Sequence, residues 1–462
     1  MSAEVSVGAL SLDEPLIVVT TDSHIGPRLK EDLRPYCPAE HLDDYDDFVR
    51  RCEPHTDPKA LFSTFAPKDQ NPDFATRLAA LERNATEGHH DVAARLVDMD
   101  RDGVAAEVIY HGSQNGQPFP FIDPAGGTFN AMIFSPVGSR RELDLAAVGQ
   151  RMYNSWLADQ CSQAPERCIG LAHLPMWDID AAIQELERAH DAGLRGVNFP
   201  APKLGITPYD DLRWEPFWAR CQERGMILST HEGSAVDDVS VNRPHTPLVA
   251  QMEELHRKML PRLIFSGIFE RFPSLKLVLT ELQQPTSLWW TQTARRYDEL
   301  WEQNRLLLAE ELPRPPSEYL HGHVFLGQSL LHALPSEVQR AVDDGYSANV
   351  LWGSDYPHQE GVYRRSENDT DETMTERGLR NAFSSVAPEH ARAMVGENAV
   401  AVYGLDRDAL AEVSRRIGAI TLAELGRPLE TIPEEWRIIS RAHVFPEYRE
   451  LDRLVEGVNR GV

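Results

Sequence analysis

Ile17-Val18-Val19-Thr20-Thr21-Asp22-Ser23-His24 is the stretch from which the rest of the chain can be read. Ile17, Val18, Val19 and Thr20 are strong β-formers bounded by Pro15 and by Gly26-Pro27, so the run reads as a buried strand. Side chains alternate across a strand, which turns Asp22 and His24 toward the same face. A carboxylate and an imidazole together at the C-terminal end of a strand make half of a metal site. A turn aspartate beside a structural histidine is the plainer alternative, and the residues that follow decide between them.

Seven further apolar runs read as strands: Ala105–Tyr110, Cys168–Leu174, Arg195–Phe199, Met226–Thr230, Leu275–Thr280, Val324–Gly327 and Val350–Trp352. Helical patterns lie between them, at Phe74–Arg83, Val92–Met99, Glu142–Gln160, Ile179–Ala192, Trp214–Arg224, Pro247–Met259, Leu263–Phe272, Pro285–Arg305 and Pro335–Asp344, and helices continue to Tyr403. Asp178 suits an N-cap and Gly193 a stop for the helix they flank. Strands alternating with helices imply a parallel sheet with crossover helices. Eight such units predict an α/β fold, a (β/α)8 TIM-like barrel with long loops inserted after strands one and two. A doubly wound sheet is the rival, but no Gly-x-Gly-x-x-Gly follows the first strand.

Residues 1–405 are expected to form the barrel, and residues 406–462 a helical C-terminal extension with helices at Leu410–Ile417, Glu434–Ser440 and Tyr448–Val455. Apolar positions in that extension need a surface to cover, either the outside of the barrel or a partner subunit in a homo-oligomer.

Composition narrows the function classes. The 462 residues are 42% hydrophobic and carry a formal net charge of -26, which repels phosphate backbones and anionic membranes and argues against nucleic-acid binding. No signal peptide opens the chain, and no run of about 18 apolar residues marks a membrane span. Five scattered cysteines without a Cys-x-x-Cys pair argue against a cysteine-based zinc site and suit a reduced, cytoplasmic protein.

In a barrel the C-terminal strand ends meet at one mouth, where catalytic residues gather. The expected ends carry Asp22 and His24, then His111, His173, Asn198, His231, Glu281 and Asp355, with His358 just beyond. Imidazole nitrogen and carboxylate oxygen are the donors that hard or borderline divalent ions take. Asp22, His24, His231 and Asp355, from strands one, five and eight, would hold one such ion, Zn2+ by first expectation or Mn2+. Taken singly, His173 suits a hydrogen-bonded core histidine, His111 a pocket wall, and His358 a loop cap. Glu281 divides between holding a ligand or substrate group and pairing with an arginine of the barrel.

Thr21-Asp22-Ser23-His24, Ser229-Thr230-His231-Glu232-Gly233 and Trp352-Gly353-Ser354-Asp355-Tyr356-Pro357-His358, in that order, resemble the amidohydrolase-related (type 2) family of the amidohydrolase superfamily. Leu263–Pro273 with Leu275-Lys276, and Gly396-Glu397-Asn398-Ala399 with Val402-Tyr403-Gly404, are similar to it as well. The resemblance spans residues 16–405. It implies a (β/α)8 barrel with one divalent metal, whose ligand positions match Asp22, His24, His231 and Asp355. That branch holds hydrolases and non-oxidative decarboxylases, the latter acting on aminocarboxymuconate semialdehyde or hydroxybenzoates. The decarboxylases usually end strand six in a histidine. Here that strand ends Thr280-Glu281-Leu282, and no lysine ends strand four.

The leading expectation is therefore mononuclear metal-assisted hydrolysis of a C–N or C–O bond in a small molecule. The metal would activate water, Asp355 would carry its proton, His231 would hold the ion, and Glu281 would act from behind. The second reading is decarboxylation of a hydroxyaryl or unsaturated acid. The third, from another class, is a non-catalytic barrel serving as a binding subunit. Tyr36, Phe119, Phe121, Trp177, Trp289 and Trp290 suggest aromatic walls and a planar substrate, with His111, His173, Asn198, Trp177 and His358 touching it. Arg28 and Lys30 are candidate anion partners on the first loop.

Overall fold

The computed structural model describes residues 11–56, 85–112, 115–122, 139–231, 234, 255–281, 286–329, 335–358, 361 and 373–430, with isolated positions between 75 and 82. Eight strands form one sheet in the order β1-β2-β3-β4-β5-β6-β7-β8. They are β1 (Val19–Ile25), β2 (Ala106–His111), β3 (Cys168–His173), β4 (Gly196–Asn198), β5 (Ile227–His231), β6 (Leu277–Thr280), β7 (Val324–Ser329) and β8 (Val350–Gly353). Every neighbouring pair is parallel. Polar side chains and backbone bring β8 back alongside β1. Thr20 Oγ1 accepts from Ser354 N at 2.8 Å, and Asp355 N donates to Asp22 O at 2.8 Å. His24 N donates to Tyr356 O at 2.6 Å. This is the expected (β/α)8 barrel.

The first strand differs from its expected bounds. It begins at Val19 and runs through both metal-ligand candidates to Ile25. The register against β2 slips between Thr20 and Ser23, an irregularity that places an extra residue in β1 beside Asp22. Ser23 Oγ turns to the opposite face and donates to Val108 O at 2.8 Å, so Asp22 and His24 share the other face.

Two apolar layers support the ring. Inside and beneath it, Val19, Val108, Tyr110, Ile169, Leu171, Val278 and Leu351 pack with Val400, Val402 and Tyr403. Outside, helices cover the strands through a larger cluster that includes Trp156, Leu157, Leu186, Trp218, Ile264 and Phe383. Asp178 caps helix Ile179–Asp191, accepting from Ala181 N at 3.1 Å, and Gly193 follows with φ 101°. That left-handed geometry is one glycine adopts without a Cβ penalty.

Helix Arg407–Ile417 and the turn Leu422–Leu425 lie against the strand starts. Leu16 N donates to Ile420 O and Ala423 N to Leu12 O, both at 2.9 Å, and Leu410, Ile420 and Leu425 are buried. The apolar positions up to residue 425 thus cover the barrel's own floor. The expected helices Glu434–Ser440 and Tyr448–Val455 lie outside the described residues, as do most of Phe74–Arg83 and the first part of Pro247–Met259. Among the described residues no helix is long and apolar enough to cross a membrane.

Candidate metal centre

Four remote residues meet at the mouth. One oxygen, Asp22 Oδ1, stands 3.3 Å from His24 Nε2 and 3.3 Å from His231 Nε2. His24 Nε2 also stands 3.2 Å from Asp355 Oδ1. Asp22 and His24 are fully buried, Asp355 nearly so. Asp22, His24 and His231 offer donor atoms close enough for one ion, and so do His24, Asp355 and His358. His24 belongs to both sets.

The tautomer of His24 shows what the cluster demands. Its Nδ1 stands 3.2 Å from the carbonyl oxygen of His111, which can only accept, so Nδ1 carries a hydrogen. A neutral His24 then points its Nε2 lone pair at carboxylate oxygens. Among the described residues, His24 Nε2 and Asp355 Oδ1 are both buried with no hydrogen-bond partner. Acceptors face acceptors across roughly 3 Å, an arrangement that a cation or an added proton must resolve. Electrostatics agree. Burial, the largest influence on His24, lowers its pKa, yet the neighbouring carboxylates of Asp22 and Asp355 overcome it, favour the protonated imidazole and push it up to about 9. Burial opposes ionisation of Asp355 too, but His358 and His24 hold its carboxyl well below the usual range. Asp22 is raised by burial and by the repulsion of Asp355, and lowered on balance by His231 and His24. Two buried carboxylates that stay ionised beside imidazoles fit a divalent cation held by nitrogen and oxygen.

The surrounding residues hold this cluster in shape. His358 stacks on His24 with ring centroids 4.0 Å apart. Its Nε2 donates to Gly112 O at 2.7 Å, and its Nδ1 lies 2.9 Å from Asp355 Oδ1. Glu281 follows β6 with its Oε2 3.6 Å from His231 Nδ1. That contact places Glu281 beside His231, on the side away from Asp22. Asp355 and Glu281 both adopt positive φ, 55° and 56°, a conformation that costs non-glycine residues of order 1–3 kcal/mol and collects at functional sites.

The remaining expected residues are more dispersed. His111 and His173 end β2 and β3, with rings 6.4 Å apart. Burial lowers both, His173 to about 4. Asn198 ends β4 opposite His173 in register, and Trp177 is half-buried in the turn after β3. Trp290 is a correction. It is buried against Tyr346 and His321 on the helix side of the sheet, so it packs the core instead of walling the mouth. The side chain of Trp289 is not among those the structure describes. Tyr36 is also turned away, its hydroxyl donating to Asp159 on the surface. Arg28 pairs with Glu87, and Lys30 stands 3.9 Å from Glu53, so the first loop's cations already face carboxylates.

Sequence reasoning missed Arg95 and Glu107. Arg95 is fully buried, donates from Nε to Glu107 at 2.5 Å and from Nη1 to His24 O at 2.6 Å, and lies 4.4 Å from the centroid of Tyr356. It therefore grips the backbone of one candidate ligand, His24, and the neighbour of another, Asp355. The available signal was a glutamate inside the apolar strand Ala105–Tyr110.

Comparison with known proteins supplies the remaining observations. A family model described as amidohydrolase matches residues 116–405. The gamma-resorcylate decarboxylase of Rhodococcus jostii is 32% identical over 181 residues, 35% of this chain and 53% of that protein. The 2-amino-3-carboxymuconate-6-semialdehyde decarboxylase of Dictyostelium discoideum is 30% identical over 136 residues, 29% of this chain and 36% of that protein. The chain thus spans about half or less of the length of these relatives. Among solved structures, 5-carboxyvanillate decarboxylase from Novosphingobium aromaticivorans, complexed with manganese and 4-hydroxy-3-methoxy-5-nitrobenzoic acid, superposes with a TM-score of 0.56 at 18% identity. It covers 86% of this chain and 100% of its own. At that identity the likeness speaks to the fold.

Proposed function

The chain belongs to the amidohydrolase family, and from that premise we propose that it is a metal-dependent decarboxylase of a hydroxylated aromatic acid. The observation that carries this reading is the buried cluster of Asp22, His24, His231 and Asp355, which calls for a divalent cation, in a chain whose curated relatives are decarboxylases. Manganese is favoured over zinc because the decarboxylase of like fold carries it. The cytoplasmic reading rests on five buried cysteines with free thiols.

A divalent ion held by these four residues would neutralise the charge of the substrate's carboxylate and adjacent phenolic oxygen. The chain's own residues do the rest. Asp355 takes the phenolic proton as the substrate binds. It then gives that proton to the ring carbon bearing the carboxylate. The C–C bond breaks, its electron pair returns to the ring, and CO2 leaves, so the acid becomes the arene with no redox partner. His358 keeps Asp355 oriented at 2.9 Å, and Glu281 stands behind His231. The packed mouth, where Asp355 and His24 are shielded from solvent, strengthens each of these interactions.

Hydrolysis uses the same cluster, and Glu281 in place of the usual strand-six histidine is the feature that favours it. The test is to load the protein with Mn2+ and assay CO2 release from hydroxybenzoates beside hydrolysis of aryl esters and amides. CO2 release is expected; ester or amide cleavage without it overturns the proposal.

A further inference from the structure

The flank of the metal centre formed by β2 and β3 holds buried polar atoms that the proposed chemistry does not use. Among the described residues, both ring nitrogens of His111, Nε2 of His173 and the hydroxyl of Tyr153 lack any hydrogen-bond partner. Tyr153 is fully buried and His111 is 4% exposed. The three rings form one cluster. Tyr153 lies 5.2 Å from His111 and 5.4 Å from His173, both edge-on. Phe119, from the loop after β2, closes the group at 4.9 Å from each histidine. Gln150, one turn before Tyr153 on the same helix, adds an unpartnered Oε1, while its Nε2 donates to Leu174 O at 3.1 Å.

A buried polar group left unpaired costs about 1–3 kcal/mol, and native chains rarely gather several in one place without a ligand or ordered water to satisfy them. The position of this group is informative. The His111 carbonyl accepts from His24 Nδ1 and the Gly112 carbonyl from His358 Nε2, so the chain that carries the His111 ring touches the ligand cluster. The flank contains no arginine, lysine or carboxylate among these residues. Imidazole and phenol both donate and accept, which suits an uncharged oxygen and offers nothing to a second anion.

We infer that His111, His173 and Tyr153 form the specificity flank of the substrate site, taking a hydroxyl or ether oxygen carried on the ring away from the metal-bound end. This rests on the decarboxylase reading for the identity of the substrate's other end. The flank selects substrates with an additional neutral oxygen over the bare aromatic acid, with Phe119 packing against the ring that bears it.

The experiment measures binding ahead of turnover, by stopped-flow tryptophan fluorescence on the manganese-loaded full chain. The probes are benzoate and the isomeric monohydroxy- and dihydroxybenzoates. One added hydroxyl is expected to tighten binding about tenfold in the native protein. Tyr153→Phe, which removes only the hydroxyl, and His111→Gln are expected to bring that ratio below about threefold in at least one case. No gain from any hydroxyl isomer, or a gain that survives both substitutions, overturns the inference. CO2 release is scored separately. A hydroxyl preference without CO2 release overturns the decarboxylase reading and leaves the flank standing; CO2 release without the preference does the reverse.

Discussion

His24 Nδ1 donates to the carbonyl oxygen of His111 at 3.2 Å, and this one bond turns His24 Nε2 toward Asp22 and Asp355. The strand beside β1 therefore sets the direction in which β1 presents the His24 imidazole. Such carbonyl-tethered imidazoles are the usual way a protein fixes which nitrogen meets a metal.

Removing the cation should cost stability, because two buried carboxylates would then face each other across His24 with only protons to separate them. Dialysis against a chelator is expected to lower Tm, and Mn2+ at about a hundred times its Kd should restore about 2.7 kcal/mol. Scanning calorimetry of stripped and reloaded protein reads this directly. Equal Tm values in the two forms would count against a metal at this site.

His231→Ala and Asp355→Asn should each reduce bound metal from about one ion per chain to a small fraction while leaving the far-ultraviolet circular dichroism unchanged. CO2 release should fall below detection in both. Elemental analysis and the dichroism spectrum together separate loss of the ion from loss of the fold.

Glu281 stands 3.6 Å behind His231 Nδ1. Groups in that position typically change metal affinity 10- to 100-fold when removed, so Glu281→Ala should weaken Mn2+ by about that factor in a chelator competition. An unchanged affinity would leave Glu281 with a role toward substrate alone.

Arg95 and Glu107 are a buried ion pair at 2.5 Å. Glu107→Ala strands the guanidinium and should cost about 3–5 kcal/mol, seen as an earlier urea midpoint. Because Arg95 also holds His24 O, the same variant should bind Mn2+ more weakly.

Asp102 gives a pH test. Burial pushes its carboxyl up to about 8, against the bond from Thr375 at 2.5 Å that works in the other direction. Its folded pKa exceeds its ordinary value of 3.8, so the folded chain holds the extra proton. That contribution is complete below about pH 4 and is lost as pH rises through 8. Asp102→Asn cannot ionise, and its Tm should fall less than that of the native chain between pH 6 and 9.

Much of the fold is legible in the sequence. The alternation of apolar runs located all eight strands, since a parallel strand buried on both faces must be apolar along its length. Asp22, His24, His231 and Asp355 are legible only as a set, because each alone has an ordinary structural use and it is a closed barrel that gathers strand ends at one mouth. What stayed hidden depends on three-dimensional partners. Tyr153 reads as one more apolar position in a helix; its unpaired hydroxyl exists only once β2 and β3 lie beside it. Trp290 sat near the end of β6 in sequence, yet its helix carries it to Tyr346. Arg28 and Lys30 looked like anion sites because Glu87 and Glu53, their partners, are remote in sequence.

The positive φ of Asp355 and Glu281 has a bearing on how this mouth can be re-engineered. Among substituents, glycine and asparagine accept that backbone most readily, while valine, isoleucine and threonine resist it. A library randomised at 281 and 355 and sorted for solubility will be filtered by dihedral preference before any chemistry is sampled. Enrichment of Gly or Asn there will report the shape of the chain, and only selection on turnover will report what the side chains do.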